Sequence, residues 1–279
     1  MRIGDEISTN GNLYAVSDHG AHVTRWRSSR FGELLYLSSA ARAEPGVAIR
    51  GGVPLCFPWF AGGTSGDLSP SHGLVRTAPW RRTAWALNDR QSVLTAVYEI
   101  TEKQVAGAAG VEHFGHRFTA RYDIVLAPEH ARFTLRITND GSRPFTFGAA
   151  LHTYFAISDV ANVNVSGLQG AAYADKATGQ SGIQLGDVLL GDEVDRIYES
   201  DSDVVVSDRA LDRTVRIAKL GSPQTVVWNP GATKAAALSD MGVGEWRRFV
   251  CIEAAALQTE QLHPGQRHEL EQQVFVFGR

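Results

Sequence analysis

At 279 residues, 43% of them apolar and 20% charged, the chain is long enough to bury a large core without disulfides or metals, which excludes an intrinsically disordered polypeptide. A formal net charge of −3 and a pI near 6.3 supply neither the basic footprint of a nucleic-acid binder nor a polybasic membrane patch. Its two cysteines, Cys56 and Cys251, lack CxxC spacing, which excludes a disulfide scaffold or zinc ribbon and fits a reducing compartment.

Along the chain, the opening MRIGDEISTNGN has no apolar segment, so no signal peptide is expected. No run approaches the roughly 18–20 apolar residues of a membrane span. A cytoplasmic location is the expectation. Strands are expected at 13–16, 22–26 and 34–37, where β-branched and aromatic residues are enriched. Residues 45–81 break the pattern: Gly and Pro are frequent there, with Arg50, His72 and Arg76 among them. Strands resume at 82–88 and 92–100. The clearest period of two follows. In 117–126, Phe118, Ala120, Tyr122, Ile124 and Leu126 share one face, and Arg117, Thr119, Arg121 and Asp123 the other. In 132–138, Phe133, Leu135 and Ile137 alternate with Arg132, Thr134, Arg136 and Thr138. The link Pro128-Glu129-His130-Ala131 has hairpin length, and Asn139-Asp140-Gly141 signals a turn.

Weaker strands are expected at 145–150, 203–206, 214–218, 225–228, 248–254 and 273–277. Two further segments interrupt the alternation: 148–159, with His152 among apolar and aromatic residues, and 228–253, ending on Glu253 inside an apolar strand. No amphipathic helix longer than about two turns is expected. Many strands with short turns and no βαβ alternation predict an all-β, antiparallel sandwich or barrel, one domain over 1–279.

Glu253 lies in Phe249-Val250-Cys251-Ile252-Glu253-Ala254-Ala255-Ala256. A carboxylate in such a setting is either turned to water, paired with an arginine, or a general base tuned by burial. His152 is either a core histidine bonded to backbone or a general acid. Arg50 and Arg76 bracket the glycine-rich segment, and their forked donors suit an anion as well as a surface. His113-Phe114-Gly115-His116 lacks further ligands at metal-site spacing, so no metal is assigned. There is no P-loop, no GxGxxG after a strand and no GxSxG elbow.

Five motifs then occur in order: Ile49 to Phe60 (IRGGVPLCFPWF), Ser71 to Arg76 (SHGLVR), Leu151 to Phe155 (LHTYF), Trp228-Asn229-Pro230 and Val250 to Glu253 (VCIE). Together they resemble the hexose-6-phosphate mutarotases, the glucose-6-phosphate 1-epimerase branch of the aldose 1-epimerase superfamily. The resemblance implies a large β-sandwich and cofactor-free interconversion of hexose 6-phosphate anomers. It implies that His152 protonates the ring oxygen and Glu253 takes the anomeric proton. It further implies that His72 and Asp195 hold sugar hydroxyls and that Arg50 and Arg76 bind the phosphate. A monomer is expected, whose only partner is its substrate. The sequence departs from the family pattern at Phe57, Leu74-Val75 and Ala254-Ala255, none of them a proposed catalytic group. Three alternatives stand beside this reading. A sugar-phosphate-binding module would need neither His152 nor Glu253. A glycosidase would need a second carboxylate. A mutarotase of free aldoses would not need both arginines.

Overall fold

The period-two segments pair into one antiparallel ladder. In the computed structural model, which describes residues 3–257 and 261–278, Phe118–Leu126 pairs with His130–Asn139, and Ile124 lies opposite Phe133 and Tyr122 opposite Leu135. Phe118, Ala120, Tyr122, Ile124, Leu126, Phe133, Leu135 and Ile137 are all buried, as the alternation predicts. The second strand starts at His130, so the hairpin link is shorter than the sequence suggests. This ladder extends to an eight-stranded back sheet in the order Val163–Ser166, Val204–Asp208, Arg213–Leu220, Arg267–Gly278, His130–Asn139, Phe118–Leu126, Val93–Thr101, Arg81–Asn88.

A second eight-stranded sheet, the front sheet, runs Gln180–Ile183, Ala172–Asp175, Val194–Glu199, Gln224–Asn229, Phe249–Ala256, Ala149–Leu151, Leu55–Cys56, with Tyr154–Ala156 also paired to Phe249–Ala256. A four-stranded sheet, Asp5–Thr9 through Gly32–Glu33, completes the strand inventory of the described residues. The two large sheets share one core: Leu55, Leu151, Val227, Ile252 and Ala254 from the front join Tyr98, Tyr122, Phe133 and Leu270 from the back. The longest helix among the described residues, Gly231–Ala236, has six residues. None is long and apolar enough to cross a membrane.

Two strand expectations change, and some strands lie outside the expected set. Residues 34–37 form no ladder: Leu35 and Leu37 make isolated bridges to Phe155 and Gly51, and the strand is Gly32–Glu33. The 145–150 strand is Ala149–Leu151, with Phe145 in a lone bridge to Leu262. Ala172–Asp175, Gln180–Ile183 and Val194–Glu199 are strands that the sequence pattern misses. They form the outer end of the front sheet, where little side chain is buried and an apolar rhythm is not required.

The outer face of the front sheet positions the site. Because side chains alternate, Cys251, Glu253 and Ala255 point opposite to Val250, Ile252 and Ala254. The outward set meets Val226 and Trp228 across the ladder (Val226 opposite Glu253, Trp228 opposite Cys251), and Trp228 in turn lies opposite Asp195. The loop of residues 57–76 packs against this face. Gly52, ahead of the strand Leu55–Cys56 that leads into this loop, has φ of +63°, and a Cβ there would run into the Val23 carbonyl, so only glycine fits.

Candidate active site

The register of two short strands puts His152 beside Glu253. Leu151 pairs with Ala254 and Tyr154 with Cys251 in a single register, which leaves His152 opposite Glu253 in the gap between them. His152 Nδ1 is 3.3 Å from Glu253 Oε1. The two are not aligned for a hydrogen bond. Neither Nδ1 nor either Glu253 oxygen has a hydrogen-bond partner among the described residues. Glu253 is 0% exposed and His152 5%. A buried polar group without a partner is expensive to keep, which points to a ligand or a reaction.

The gap is held open from the other sheet. Gln272, on the back-sheet strand Arg267–Gly278, accepts from Thr153 Oγ1 at 2.5 Å and donates to the Ile252 carbonyl at 2.9 Å. The His152 N–H donates to the Pro54 carbonyl at 2.9 Å. Tyr154 stacks on the imidazole at 5.0 Å and 8°, and Trp228 meets it edge-on at 5.9 Å. His152 is thus fixed on all sides but one.

His72 closes part of the remaining side, with its ring 5.2 Å from that of His152. Its Nδ1 accepts from the Ala61 N–H at 3.2 Å, and the His72 N–H donates to the Ala61 carbonyl at 2.8 Å. An accepting Nδ1 leaves the hydrogen on Nε2, so neutral His72 presents a donor. Burial, then Arg76, Lys176 and Arg50, hold it well below the ordinary histidine pKa.

The two arginines differ. Arg50 is spoken for: Nε and one terminal nitrogen each lie 3.1 Å from Asp240 Oδ2, and the other donates to the Tyr154 hydroxyl at 3.0 Å. Arg76, in the short 3-10 turn Val75–Thr77, is 5% exposed; its Nε has no hydrogen-bond partner, and no carboxylate among the described residues pairs with it. Its charge acts on His72, His152, Cys251 and Glu253 alike.

Asp195 lies on the same face, 3.6 Å from Lys234 Nζ. Burial raises its pKa, against the pull of Lys176 and Lys234. Sequence reasoning misses Lys176. Its N–H donates to the Asp195 carbonyl at 2.7 Å, and its Nζ lies 5.7 Å over the Phe60 ring. Nothing local marks it, because it sits at a turn in a part of the sheet with no apolar rhythm. Asn229 of the Trp-Asn-Pro motif is structural: it donates to the Trp246 and Phe249 carbonyls and accepts from the Gly231 N–H. A cleft of about 710 Å³ lined by Trp59, Phe60, Lys176 and Ile197 adjoins the site, though neither His152 nor Glu253 lines it. His113 and His116 join no cluster of ligating groups among the described residues; His152, Cys251 and Glu253 do.

Burial is the largest influence on both central groups, pushing Glu253 well above and His152 well below their ordinary values. Asp195 adds to the rise of Glu253, while Arg76 and Lys176 oppose it; His72, Arg76 and Arg50 lower His152 further. These shifts have a signed consequence for stability. Buried His22, bonded to the Gly51 carbonyl, is held down from 6.5 to about 3. Between those values the unfolded chain binds the extra proton, so stability is lost as pH falls from 6.5 toward 3. His72 and His152 act in the same direction. Glu253 acts oppositely: its contribution is present below the unfolded carboxyl value and is lost as pH rises toward the folded one. Asp195, raised as well, acts with Glu253, and the three buried histidines outnumber these two carboxyls. The urea midpoint is therefore expected to drop on going from about pH 7 to about pH 5, and equal midpoints would contradict these burials.

This sandwich, with a buried His–Glu pair on the outer face of its front sheet, is that of a sugar epimerase: the chain belongs to the aldose 1-epimerase family, whose pattern matches residues 6–274. Within it, the chain is 35% identical over 258 residues to a protein of Cenchrus ciliaris, covering 89% of this chain and 76% of that one. It is 32% identical over 264 residues to one of Escherichia coli (strain K12), covering 93% and 85%. Both bear the name "Putative glucose-6-phosphate 1-epimerase". The crystal structure of a Salmonella typhimurium protein described as a "putative mutarotase (YeaD)" superposes with a TM-score of 0.87 at 29% identity, covering 98% of this chain and 90% of that one.

Proposed function

We propose that this epimerase interconverts the α and β anomers of a hexose 6-phosphate, glucose 6-phosphate first among them, as a cytoplasmic monomer in which residues 1–279 act as one unit. One observation carries the reading: a buried carboxylate and a buried imidazole stand 3.3 Å apart with their facing atoms unbonded, next to an arginine that forms an ion pair with no carboxylate among the described residues. The first feature suits two proton transfers, and the second suits a phosphate.

Ring opening starts with Glu253 as carboxylate and His152 as imidazolium. Glu253 takes the proton of the anomeric hydroxyl, the C1–O5 bond breaks, and His152 gives its proton to O5. The open aldehyde turns about C1–C2, and closure runs the transfers backward to the other anomer. Opening therefore ends with a carboxylic acid and a neutral imidazole, the arrangement that burial favours. The pair is thereby poised to reclose the ring before the aldehyde escapes. His72 Nε2–H and Asp195 hold sugar hydroxyls. Arg76 takes the phosphate, with Arg50 beside it once Asp240 yields or shares its hold.

Anomer exchange of glucose 6-phosphate and of glucose, followed by NMR magnetisation transfer, tests the reading. Acceleration is expected for the phosphorylated sugar and little for glucose. No acceleration of either would leave a binding protein, and equal acceleration of both would remove the phosphate grip.

A further inference from the structure

One buried nucleophile has no part in these proton transfers. Cys251 is 0% exposed, and its thiol shares a face with Glu253 two residues along the same strand. The ligating atoms of His152, Cys251 and Glu253 all lie within 4.8 Å of one another. We propose that these three residues form a binding site for a divalent cation of the zinc class, and that the cation inhibits the enzyme by occupying its acid and its base together.

The donor set selects the metal. One imidazole nitrogen, one thiol sulfur and one carboxylate oxygen match zinc, whereas magnesium and calcium require a shell of six or more oxygens. In a tetrahedral zinc site, with metal–sulfur near 2.3 Å and metal–nitrogen near 2.0 Å, donors stand about 3.3–3.5 Å apart. The His152–Glu253 separation of 3.3 Å already meets this, and the widest, within 4.8 Å, needs to close by at most about 1.5 Å, which side-chain torsions can supply. The atoms are also available: Nδ1 of His152 and both oxygens of Glu253 have no hydrogen-bond partner among the described residues, so a metal displaces none.

Charge is the main obstacle, because Arg50 and Arg76 lie nearby. The ligand set answers it. Zinc displaces the thiol proton, and any proton on Glu253, to solvent. A thiolate and a carboxylate then cancel its two charges, so the loaded site adds no net positive charge beside the arginines. No electron moves, and the fourth position is left for water.

Metal binding stands apart from the mutarotase reading; only the inhibition rests on it. The test adds Co²⁺ to metal-free protein and looks for thiolate-to-cobalt charge-transfer absorption at one metal per chain. The band is expected in wild type and absent in Cys251→Ser and Cys251→Ala. Loss of outer-shell partners alone costs metal sites about 10–100-fold in affinity, so loss of this ligand is expected to weaken Zn²⁺ inhibition of glucose 6-phosphate exchange by roughly 100-fold, with basal exchange kept and EDTA reversing inhibition in wild type. Absence of the band at saturating Co²⁺ overturns the proposal. So does equal Zn²⁺ inhibition of wild type and both variants. A band that depends on Cys251 in a protein that exchanges no sugar upholds the metal site and rejects the mutarotase reading instead.

Discussion

Glu253→Gln is expected to lower the anomer exchange rate at saturating glucose 6-phosphate by about 10²–10⁴-fold while the protein stays folded. The amide is nearly isosteric, and it occupies the same fully buried position opposite Val226 and beside His152. It cannot take the anomeric proton, so the loss falls on turnover and not on affinity. Stability is expected to hold or rise, because an uncharged amide replaces an ionisable group that burial already penalises and that has no hydrogen-bond partner among the described residues. The melting temperature and the exchange rate therefore separate: the first stays level and the second collapses. Exchange within a few-fold of wild type would remove Glu253 from the mechanism, and a parallel fall of both would make its role structural.

The second large effect concerns Arg76→Met. Removing one partner of a buried, hydrogen-bonded charge pair costs about 2–5 kcal/mol, so affinity for glucose 6-phosphate is expected to fall on the order of 30- to 4,000-fold, with binding of free glucose hardly changed. Removal of a buried guanidinium that pairs with no carboxylate among the described residues relieves a desolvation cost in the free protein, so stability is expected to stay level or increase. A third readout follows from sign. Arg76 lowers the pKa of both His152 and Glu253, so its loss raises both and moves the pH profile of exchange upward. A variant that loses both sugars equally, or whose profile does not move, would contradict this placement of the charge. Arg50→Met is expected to affect phosphate less selectively, because that side chain also buttresses Tyr154 and frees Asp240 when removed.

Much of the architecture is legible in the residues. The alternation at 117–126 and 132–138 requires half-buried strands because a period of two sorts apolar from polar side chains only on a pleated surface. The strand expected at 248–254 is found as Phe249–Ala256. Of the strands missed, Gln180–Ile183 buries no side chain and is held by its ladder hydrogen bonds, and Val194–Glu199 buries only Val194 and Tyr198, four residues apart, so no period of two announces either. Lys176 is missed for the same reason.

By itself, then, the sequence determined an all-β chain, its apolar strands, and a set of residue types suited to proton transfer and anion binding. Those follow from local periodicity and from the chemistry of single side chains. Only the tertiary structure decided who faces whom. His152 meets Glu253 because two short strands share one register on Phe249–Ala256 and Gln272 reaches across the sandwich to hold the gap between them. Arg50 and Arg76, alike in the sequence, part company because Asp240 reaches one and no carboxylate among the described residues reaches the other. Such pairings depend on distance and burial between remote segments, and the energy of a charge depends on both.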